Sequence, residues 1–370
     1  MRILVERGPF LESCRLAERV LPARTTDLSR VHVLVQAGGD TCTLHAAGAG
    51  LALRLGVPAE VEQPGQALLP ARQALAILRE AEADVLLLES APGRVRVAGD
   101  EAEFDLASPD PSRLPLVEPF PGGACHRVAA ADLGRALART LFATGQSTNR
   151  YALHAVLGEI EADRVRLVAT DNRRLAVAEV PAEAHGEDLP LARRLLPATA
   201  LRLLAKLTAS VDGPVRILFG MRQAFFEAGR ATLKTRYVEG GFPHWRKVLP
   251  GKAKHVVPVV VGPFLASARQ AATVREREGG RLMLRFEPGR VLLESRKQGA
   301  GRARVRQSLP LSGAVVEVAL NPRYLVELLA ALEPESTLLF GVTGPGEPVV
   351  ASDGDGYRHV LVPLRPAQRD

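Results

Sequence analysis

Three runs of residues in this chain resemble one another and lie at nearly equal intervals. Each ends in a proline: Leu68-Leu69-Pro70, Leu195-Leu196-Pro197 and Leu320-Asn321-Pro322. The prolines are 127 and 125 residues apart. A second run, Gly-Pro-Phe-Leu, occurs at residues 8–11 and again at 262–265, a shift of 254. This period predicts three domains of one fold, because the repeats of solenoids are only about 20–50 residues long.

The period divides the 370 residues into predicted domains at 1–121, 122–250 and 251–370. Runs rich in proline and glycine, at residues 119–123 and 250–254, are typical of linkers. Each repeat predicts a strand, a first helix (10–20, 131–142 and 264–274), alternating strands, a second helix and a closing strand pair. The second helix begins at the repeated proline, whose missing N–H has no helical partner in the first turn. These elements predict an α+β fold.

Basic residues outnumber acidic ones by 48 to 41, so the net charge is +7. A basic chain favours nucleic acid as a partner through counterion release, although high arginine usage can also follow from genomic base composition. The three cysteines have no metal-ligand spacing and predict free thiols in a reducing compartment. The sequence has no signal peptide and no run long enough to span a membrane, and we expect a cytoplasmic protein.

Basic side chains recur on the predicted helices of all three repeats. A charged helix face is usually only a solvated one, but equivalent helices that are all basic would together line one surface. This recurrence predicts that the following residues face DNA: Arg72, Arg79, Arg135, Arg139, Arg202, Lys206, Arg269 and Arg323.

Motifs of enzymes are missing from the sequence. It contains no nucleotide-binding glycine pattern, no zinc-protease motif and no nucleophile elbow. His154, Asp171 and His244 are scattered, and such polar residues are far more often structural than catalytic. We therefore predict no catalytic residue, no metal and no cofactor. The alternative from another class is a basic DNA-processing enzyme, which would require a carboxylate cluster.

Two polar segments carry the most specific signals. Residues 169–176 read ATDNRRLA, in which a predicted strand enters a polar turn and another strand leaves it. Asn172 fits the turn because asparagine tolerates a positive φ. Residues 242–250 read FPHWRKVLP, hold the only tryptophan and lead into the second predicted linker.

Together with the triple repeat, these segments resemble the β sliding clamps of bacterial DNA polymerase III. That family has ATDGHRLA and FPDYRRVLP at the two positions. Residues 357–365, YRHVLVPLR, are similar to the closing strand of the family, which ends in an MPMR-type run. The first residues, MRILVERGPFLESC, are similar to the N-termini of clamps. The resemblance covers the whole chain.

The resemblance implies a ring of two crescent subunits joined head to tail around duplex DNA. Six similar domains would form the ring, with helices inside and sheets outside. Such a ring is a DNA polymerase processivity factor that slides on DNA without reading its sequence. The alternative within the same fold is a divergent clamp for repair or for a specialised polymerase, because Asn172-Arg173 stands where the family has Gly-His.

The resemblance also implies three sets of site residues. A groove for the short hydrophobic clamp-binding motif of the polymerase catalytic subunit, the clamp loader and repair proteins would contain Leu153, Thr170, Arg174, Leu175, Pro243, Lys247, Val248, Val360, Leu361, Val362, Pro363 and Leu364. Arg24 and Ser147 would join the residues that face DNA. The homodimer would close through Phe104 and Leu106 on one side and Thr273 and Val274 on the other.

Overall fold

The computed structural model of the chain describes residues 1–22, 31–148, 150–186, 189, 191–274, 280–297, 299, 301–311, 313 and 315–364. The chain folds into two compact units. Unit 1 comprises residues 1–133, 182–190 and 199–237, and unit 2 comprises 134–181, 191–198 and 238–370.

The helices of the described residues come in three pairs, which agrees with the triple repeat. They are α1 (Arg7–Glu18), α2 (Ala71–Glu80), α3 (Ala130–Leu141), α4 (Ala198–Thr208), α5 (Val261–Ala271) and α6 (Pro322–Ala330). The first helix of each pair begins one to three residues earlier than predicted, and the second begins at or directly after the repeated proline, as predicted.

The strands are short and numerous. In chain order they are β1 (Arg2–Glu6), β2 (His32–Gly38), β3 (Thr41–Ala47), β4 (Leu51–Pro58), β5 (Glu60–Gln63), β6 (Gly65–Pro70), β7 (Val85–Ala91), β8 (Arg94–Ala98), β9 (Glu103–Ala107), β10 (Cys125–Ala129), β11 (Ala155–Ile160), β12 (Arg164–Thr170), β13 (Arg174–Pro181), β14 (Glu183–His185), β15 (Ala192–Pro197), β16 (Pro214–Phe219), β17 (Gln223–Ala228), β18 (Ala231–Arg236), β19 (His255–Val260), β20 (Leu282–Glu287), β21 (Arg290–Lys297), β22 (Gly301–Ser308), β23 (Val316–Leu320), β24 (Thr337–Val342), β25 (Val349–Ser352) and β26 (Tyr357–Leu361). The α+β prediction is confirmed.

Each unit contains two antiparallel sheets. Unit 1 has a five-stranded sheet in the order β5-β1-β7-β8-β9 and a nine-stranded sheet in the order β14-β10-β16-β17-β18-β4-β3-β2-β6. Unit 2 has an eight-stranded sheet in the order β15-β11-β12-β13-β26-β25-β24-β19 and a four-stranded sheet in the order β22-β21-β20-β23. Because β4 pairs with β18 and β13 pairs with β26, each long sheet joins strands from two neighbouring repeats.

The core is mostly aliphatic, as the low aromatic content of 4% requires. The aromatic side chains of the third repeat nevertheless form a group. The Phe264 ring of α5 packs on Phe340 with 5.8 Å between centroids, and Phe286 packs on the same ring at 6.2 Å. The three cysteines, Cys14, Cys42 and Cys125, are buried and free.

The third repeat departs from the other two at its first strand. In the first two repeats a short strand covers the outer edge of that strand, so that β5 pairs with β1 and β14 pairs with β10. The corresponding strand of the third repeat, β19, is an edge strand among the described residues, and its Val256 and Val260 are 56% and 44% exposed. Pro258 occupies the position at which Leu4 and Arg127 face their covering strands. Since proline has no N–H, it could not donate a hydrogen bond to a covering strand at this position.

Candidate functional site

Side chains as well as backbone bonds fix the turn between β12 and β13. Asn172 has a φ of 69°, as its place in the turn predicted. The Asp171 Oδ1 atom accepts hydrogen bonds from the N–H groups of Arg173 and Arg174 at 2.9 and 3.0 Å. The Thr170 hydroxyl donates to the Arg174 carbonyl oxygen at 2.6 Å and accepts from the Asn172 N–H at 3.1 Å. The turn therefore holds Arg173 at a defined place.

Arg174 points inward from this turn and is only 4% exposed. Its guanidinium pairs with Asp171 at 3.0 Å, pairs with Glu327 of α6 and donates to the Phe142 carbonyl oxygen. The guanidinium carbon also lies 4.5 Å from the centroid of the Tyr324 ring and 5.2 Å from that of Phe142. The groove prediction placed Arg174 among the ligand contacts, whereas in the structure its donors are used by the protein. Arg174 thus braces α6 against the turn.

Glu327 shares its carboxylate between two arginines. Its Oε1 atom accepts from Arg323 Nε at 2.7 Å, while Oε2 accepts from Arg174. Burial alone would raise the pKa of Glu327, but the hydrogen bonds from Arg323 and Arg174 outweigh it and lower the pKa below its ordinary value. Sequence reasoning missed both Glu327 and Tyr324. The repeated helix start at Pro322 was the available signal, since both residues lie in the helix that it opens.

Strand β26 brings the end of the chain beside this turn. Leu175 lies opposite Val360 in the register of β13 and β26. The Val362 N–H donates to the Arg173 carbonyl oxygen at 3.0 Å, so the pairing continues beyond the strand. Val360 and Leu361 are each 1% exposed, whereas Val362 is 43% exposed. An apolar side chain is therefore accessible next to Arg173.

Residues 242–250 border the same cluster from another direction. Trp245, 5% exposed, belongs to a hydrophobic cluster that includes Leu175 and Val360. A short 3-10 turn, Trp245–Lys247, carries the chain to Val248. Lys247 is exposed and Val248 is 49% exposed. The segment thus exposes the cation Lys247 and the apolar side chain of Val248 within three residues of Trp245, which is buried with Leu175 and Val360.

The carboxylate of Glu159 on β11 holds this segment. It accepts two hydrogen bonds from the Arg246 guanidinium, at 3.1 and 2.8 Å, and one from the Trp245 indole N–H at 3.4 Å. It also accepts from Arg166 of β12 at 3.0 Å. Burial alone would raise the pKa of Glu159, but the bonds from Arg246 and Arg166 outweigh it and lower the pKa. Sequence reasoning missed Glu159, for which no local motif gives a signal.

The predicted groove residues fall into two groups by exposure. A buried group lies under the surface and comprises Leu153, Thr170, Arg174, Leu175, Val360 and Leu361. A half-buried or exposed group can meet a ligand directly and comprises Pro243, Lys247, Val248, Val362, Pro363 and Leu364. The accessible part of the site is therefore mostly apolar, with Lys247 and the neighbouring Arg173 as exposed cations.

The residues predicted to face DNA are mainly exposed on helices. The exposed ones are Arg72, Arg79, Arg135, Arg202, Lys206, Arg269 and Arg323. Ser147 is exposed in the segment after α3, where its hydroxyl contacts His154 Nδ1. Arg24 lies outside the described residues.

Arg139 differs from these helix residues. It forms an ion pair with Asp353 at 2.8 Å, in which the two side chains are only 17% and 16% exposed. Its guanidinium carbon also lies 5.4 Å from the centroid of the buried Tyr357 ring. A neutralised arginine attracts a phosphate less than a free one does, so the structure gives Arg139 a bracing role beside its predicted one.

The predicted dimer residues lie at or near the ends of sheets and helices. Phe104, 39% exposed, and the half-buried Leu106 lie on β9, the edge strand of the five-stranded sheet. Thr273 and Val274 lie just after α5, and Thr273 donates through its hydroxyl to the Gln270 carbonyl oxygen at 2.7 Å.

The two edge strands β9 and β22 have opposite charges, which are partly paired within their own sheets: Arg96 pairs with Glu103 and Asp105, and Glu294 pairs with Arg302 and Arg304. On β9 the exposed charged residues are Glu103 and Asp105. On β22, the edge strand of the four-stranded sheet, they are Arg302, Arg304 and Arg306. The arginines alternate along the strand and therefore project from one face. Sequence reasoning missed them, although the alternating run was a readable signal.

The described part of the chain offers neither a metal-binding cluster nor a membrane-spanning helix. No group of three or more His, Cys, Asp and Glu side chains within it could hold a metal ion. None of its helices is long and apolar enough to cross a membrane.

Comparison with known proteins identifies the class to which this fold and site belong. Residues 127–244 match the family model of the DNA polymerase III beta subunit, central domain, and residues 246–364 match that of its C-terminal domain. The beta sliding clamp of Streptomyces coelicolor is 29% identical in an alignment of 377 positions that covers 99% of each chain. That of Caulobacter vibrioides is 27% identical in an alignment of 379 positions that covers 99% of this chain and 100% of the relative.

Solved structures show the same fold. A Pseudomonas aeruginosa sliding clamp bound to griselimycin superposes with a TM-score of 0.89 at 24% identity, over 99% of this chain and 100% of that one. A Bacillus subtilis DNA polymerase sliding clamp gives 0.88 at 19% identity, over 99% of each chain. The chain belongs to the DNA polymerase III beta-subunit family, the bacterial sliding clamps, and consists of three domains of the clamp fold.

Proposed function

We propose that two copies of this chain close into a ring around duplex DNA and tether a DNA polymerase and other replication and repair proteins. The ring acts without catalysis, because a topological link to DNA provides processivity without a chemical step. Partners bind through short hydrophobic motifs at the site formed by the turn after β12, the end of β26 and residues 242–250. In this proposal the three domains of each copy comprise residues 1–121, 122–250 and 251–370.

The main support for the peptide site is the accessible apolar surface near the turn between β12 and β13. Val248 and Val362 are 49% and 43% exposed, and they follow Trp245 and Val360, two members of the hydrophobic cluster, by three and two residues. When leucine or phenylalanine side chains of a peptide cover these valines, apolar surface is removed from water, and this favours binding. Arg173 and Lys247 place two cations beside them, and neither side chain forms an ion pair with another described residue. These cations would orient a peptide whose flanking residues are acidic.

Replacing Val362 with aspartate tests this site. A fluorescent consensus clamp-binding pentapeptide should bind the wild-type chain with a micromolar Kd, about −8 kcal/mol. In V362D the peptide would bury a carboxylate against apolar side chains, so we expect the affinity to fall about tenfold or more. Fluorescence anisotropy measures both values. The matched control is V256D on the edge strand β19, which should bind as the wild type does; an equal loss in both variants would contradict the site.

Charge complementarity between edge strands supports closure of the homodimer. Strand β9 offers Glu103 and Asp105 on one face and Phe104 and Leu106 on the other. Strand β22 offers a row of arginines on one face, and α5 packs near its other face. A head-to-tail contact would pair β9 of one copy with β22 of the next. The acidic face of β9 would then lie beside the basic face of β22, and the apolar face of β9 beside the opposite face of β22. The predicted residues Phe104, Leu106, Thr273 and Val274 belong to these same two ends.

Charge reversal on either strand should prevent self-association but allow mixed dimers. The double variants R302E/R304E and E103R/D105R each place like charges at every such contact, so each alone should be monomeric at micromolar concentration. Mixed in equal amounts, they should dimerise, because both contacts of the mixed ring then pair opposite charges. Sedimentation velocity at low salt distinguishes these cases. If either variant alone dimerises as the wild type does, these strands do not form the contact.

One observation favours the divergent clamp as a second candidate. Arg173 adds an exposed cation at the margin of the site, where the family has histidine in its motif. A clamp dedicated to repair or to a specialised polymerase would then prefer a different motif. Failure of the consensus peptide to bind at millimolar concentration would favour this candidate.

A further inference from the structure

Residues 242–254 have few backbone bonds to the sheet beside them. The Ala152 N–H donates to the Gly241 carbonyl oxygen at 3.1 Å, just before the segment begins. Within the segment the backbone bonds are local, such as those from the Lys247 N–H to His244 and from the Val248 N–H to Trp245, both at 3.0 Å. Side chains must therefore fix the position of Lys247 and Val248.

Phe242 and Leu249 pack against the hydrophobic cluster at the two ends of the segment, and between them Trp245 and Arg246 both meet Glu159. The carboxylate is 8% exposed and receives a two-bond contact from the Arg246 guanidinium. The indole N–H reaches the same carboxylate at 3.4 Å, and the Arg246 guanidinium carbon lies 4.3 Å from the Trp245 ring centroid. The rest of the indole packs in the hydrophobic cluster with Leu175 and Val360. The Glu159 carboxylate thus holds the polar edge of the Trp245 indole, and the apolar part of the indole packs among the buried side chains beneath the site.

The charges around Glu159 favour its contact with Arg246. Arg166 approaches Glu159 from β12, but it also bonds to Glu161 at 2.6 Å and to Glu179 at 2.8 Å. Without Arg246, three carboxylates would share a buried arginine and its exposed neighbours. A buried carboxylate is costly unless it is paired, so the sheet attracts Arg246 and with it the segment.

We propose that Glu159 is a positioning residue for peptide binding: it fixes residues 242–250 by holding Trp245 and Arg246, and so sets the place of Lys247 and Val248. The proposal rests on the proposed function, because it concerns the same peptide site. Glu159 is nearly buried and does not meet the ligand itself. Its effect passes through a segment that is attached to the sheet by side chains and can shift while the strands stay paired.

The E159Q variant tests this role, since glutamine has the same size but lacks the charge. We expect the affinity for the consensus pentapeptide to fall about tenfold at a temperature well below the melting temperature. Trp245 is the only tryptophan, so its fluorescence reports the segment directly, and its emission should move to longer wavelength in E159Q. R246Q should have the same two effects. The double variant E159Q/R246Q should lose little more affinity than E159Q alone, because the Arg246 contact that R246Q removes is already weakened in E159Q.

The matched control is E161Q. Glu161 bonds to the same Arg166 guanidinium but is 41% exposed and contacts Arg166 and Arg164 instead of Trp245. E161Q should bind the peptide within twofold of the wild type and keep its emission. If E159Q lowers only the melting temperature, with peptide affinity and Trp245 emission unchanged, the positioning role is wrong. If the wild-type chain binds no peptide, the proposed peptide site is wrong. The separate measurement of the wild type distinguishes this result from a failure of the Glu159 role alone.

Discussion

Replacing Arg174 with alanine should lower the free energy of unfolding of unit 2 by about 3–5 kcal/mol. The substitution leaves Asp171 and Glu327 without their buried cation and the Phe142 carbonyl oxygen without a donor. It also removes the flat group on which the Tyr324 ring packs. Breaking a buried ion pair on one side costs more than the pair contributes, because the remaining charge stays desolvated. Urea unfolding followed by Trp245 fluorescence measures the change in unit 2.

Arg323 supplies the matched control for Arg174, because it pairs with the same carboxylate of Glu327 at 2.7 Å. Its side chain is 66% exposed, and exposed pairs contribute only about 0–1 kcal/mol. R323A should therefore change the stability by less than about 1 kcal/mol. Similar losses in R174A and R323A would mean that burial does not determine the importance of these arginines.

The second large effect is a loss of stability in mild acid through His359. This side chain is fully buried in β26 and stacks on Phe142 at 5.4 Å. Its Nδ1 atom lies 3.4 Å from the Tyr357 hydroxyl, while Nε2 has no hydrogen-bond partner among the described residues. Burial, and secondarily the charge of Arg174, lowers the pKa of His359 from 6.5 to about 3. The folded protein therefore keeps this imidazole neutral where the unfolded chain protonates it.

The sign of the effect follows from proton binding. Below about pH 6.5 the unfolded state binds a proton that the folded state rejects, so stability falls as the pH falls toward 3. The slope is about 1.4 kcal/mol per pH unit for one such histidine. The H359F variant should lack this slope between pH 6.5 and 5, where few carboxylates titrate. Trp245 fluorescence during urea unfolding at several pH values measures it for unit 2. The exposed His244 gives the control H244N, which should keep the wild-type slope, and an unchanged slope in H359F would refute the explanation.

Much of the fold was predictable because the sequence repeats local signals. A proline at the start of a helix acts through its own φ and its missing N–H, so the starts of α2, α4 and α6 were read correctly. The first helices of repeats one and three begin three residues earlier than predicted, ahead of Pro9 and Pro263. Both lie in the first turn, where proline is tolerated. Asn172 was placed in its turn for a similarly local reason.

The site was less predictable because its key contacts join distant residues. Arg139 and Asp353 are 214 residues apart, and Arg174 and Glu327 are 153 apart. No periodicity or spacing reveals whether an arginine points to solvent or into such a pair. The resemblance predicted Arg174 as a groove residue, whereas its inward direction follows from Asp171, Phe142 and Glu327 closing around it. Glu159 lies in an ordinary strand, and only the folded chain brings Arg246 to it.

A chain built from three similar domains risks strand exchange, since each covering strand could pair with the wrong repeat or with another molecule. Pro258 reduces that risk at β19, because a strand such as β5 or β14 would meet a residue without an N–H. Val256 and Val260, two residues before and after Pro258, are exposed on this strand. Pairing of β5 or β14 with β19 would lack a hydrogen-bond donor at Pro258, which disfavours this exchange relative to pairing with β1 or β10.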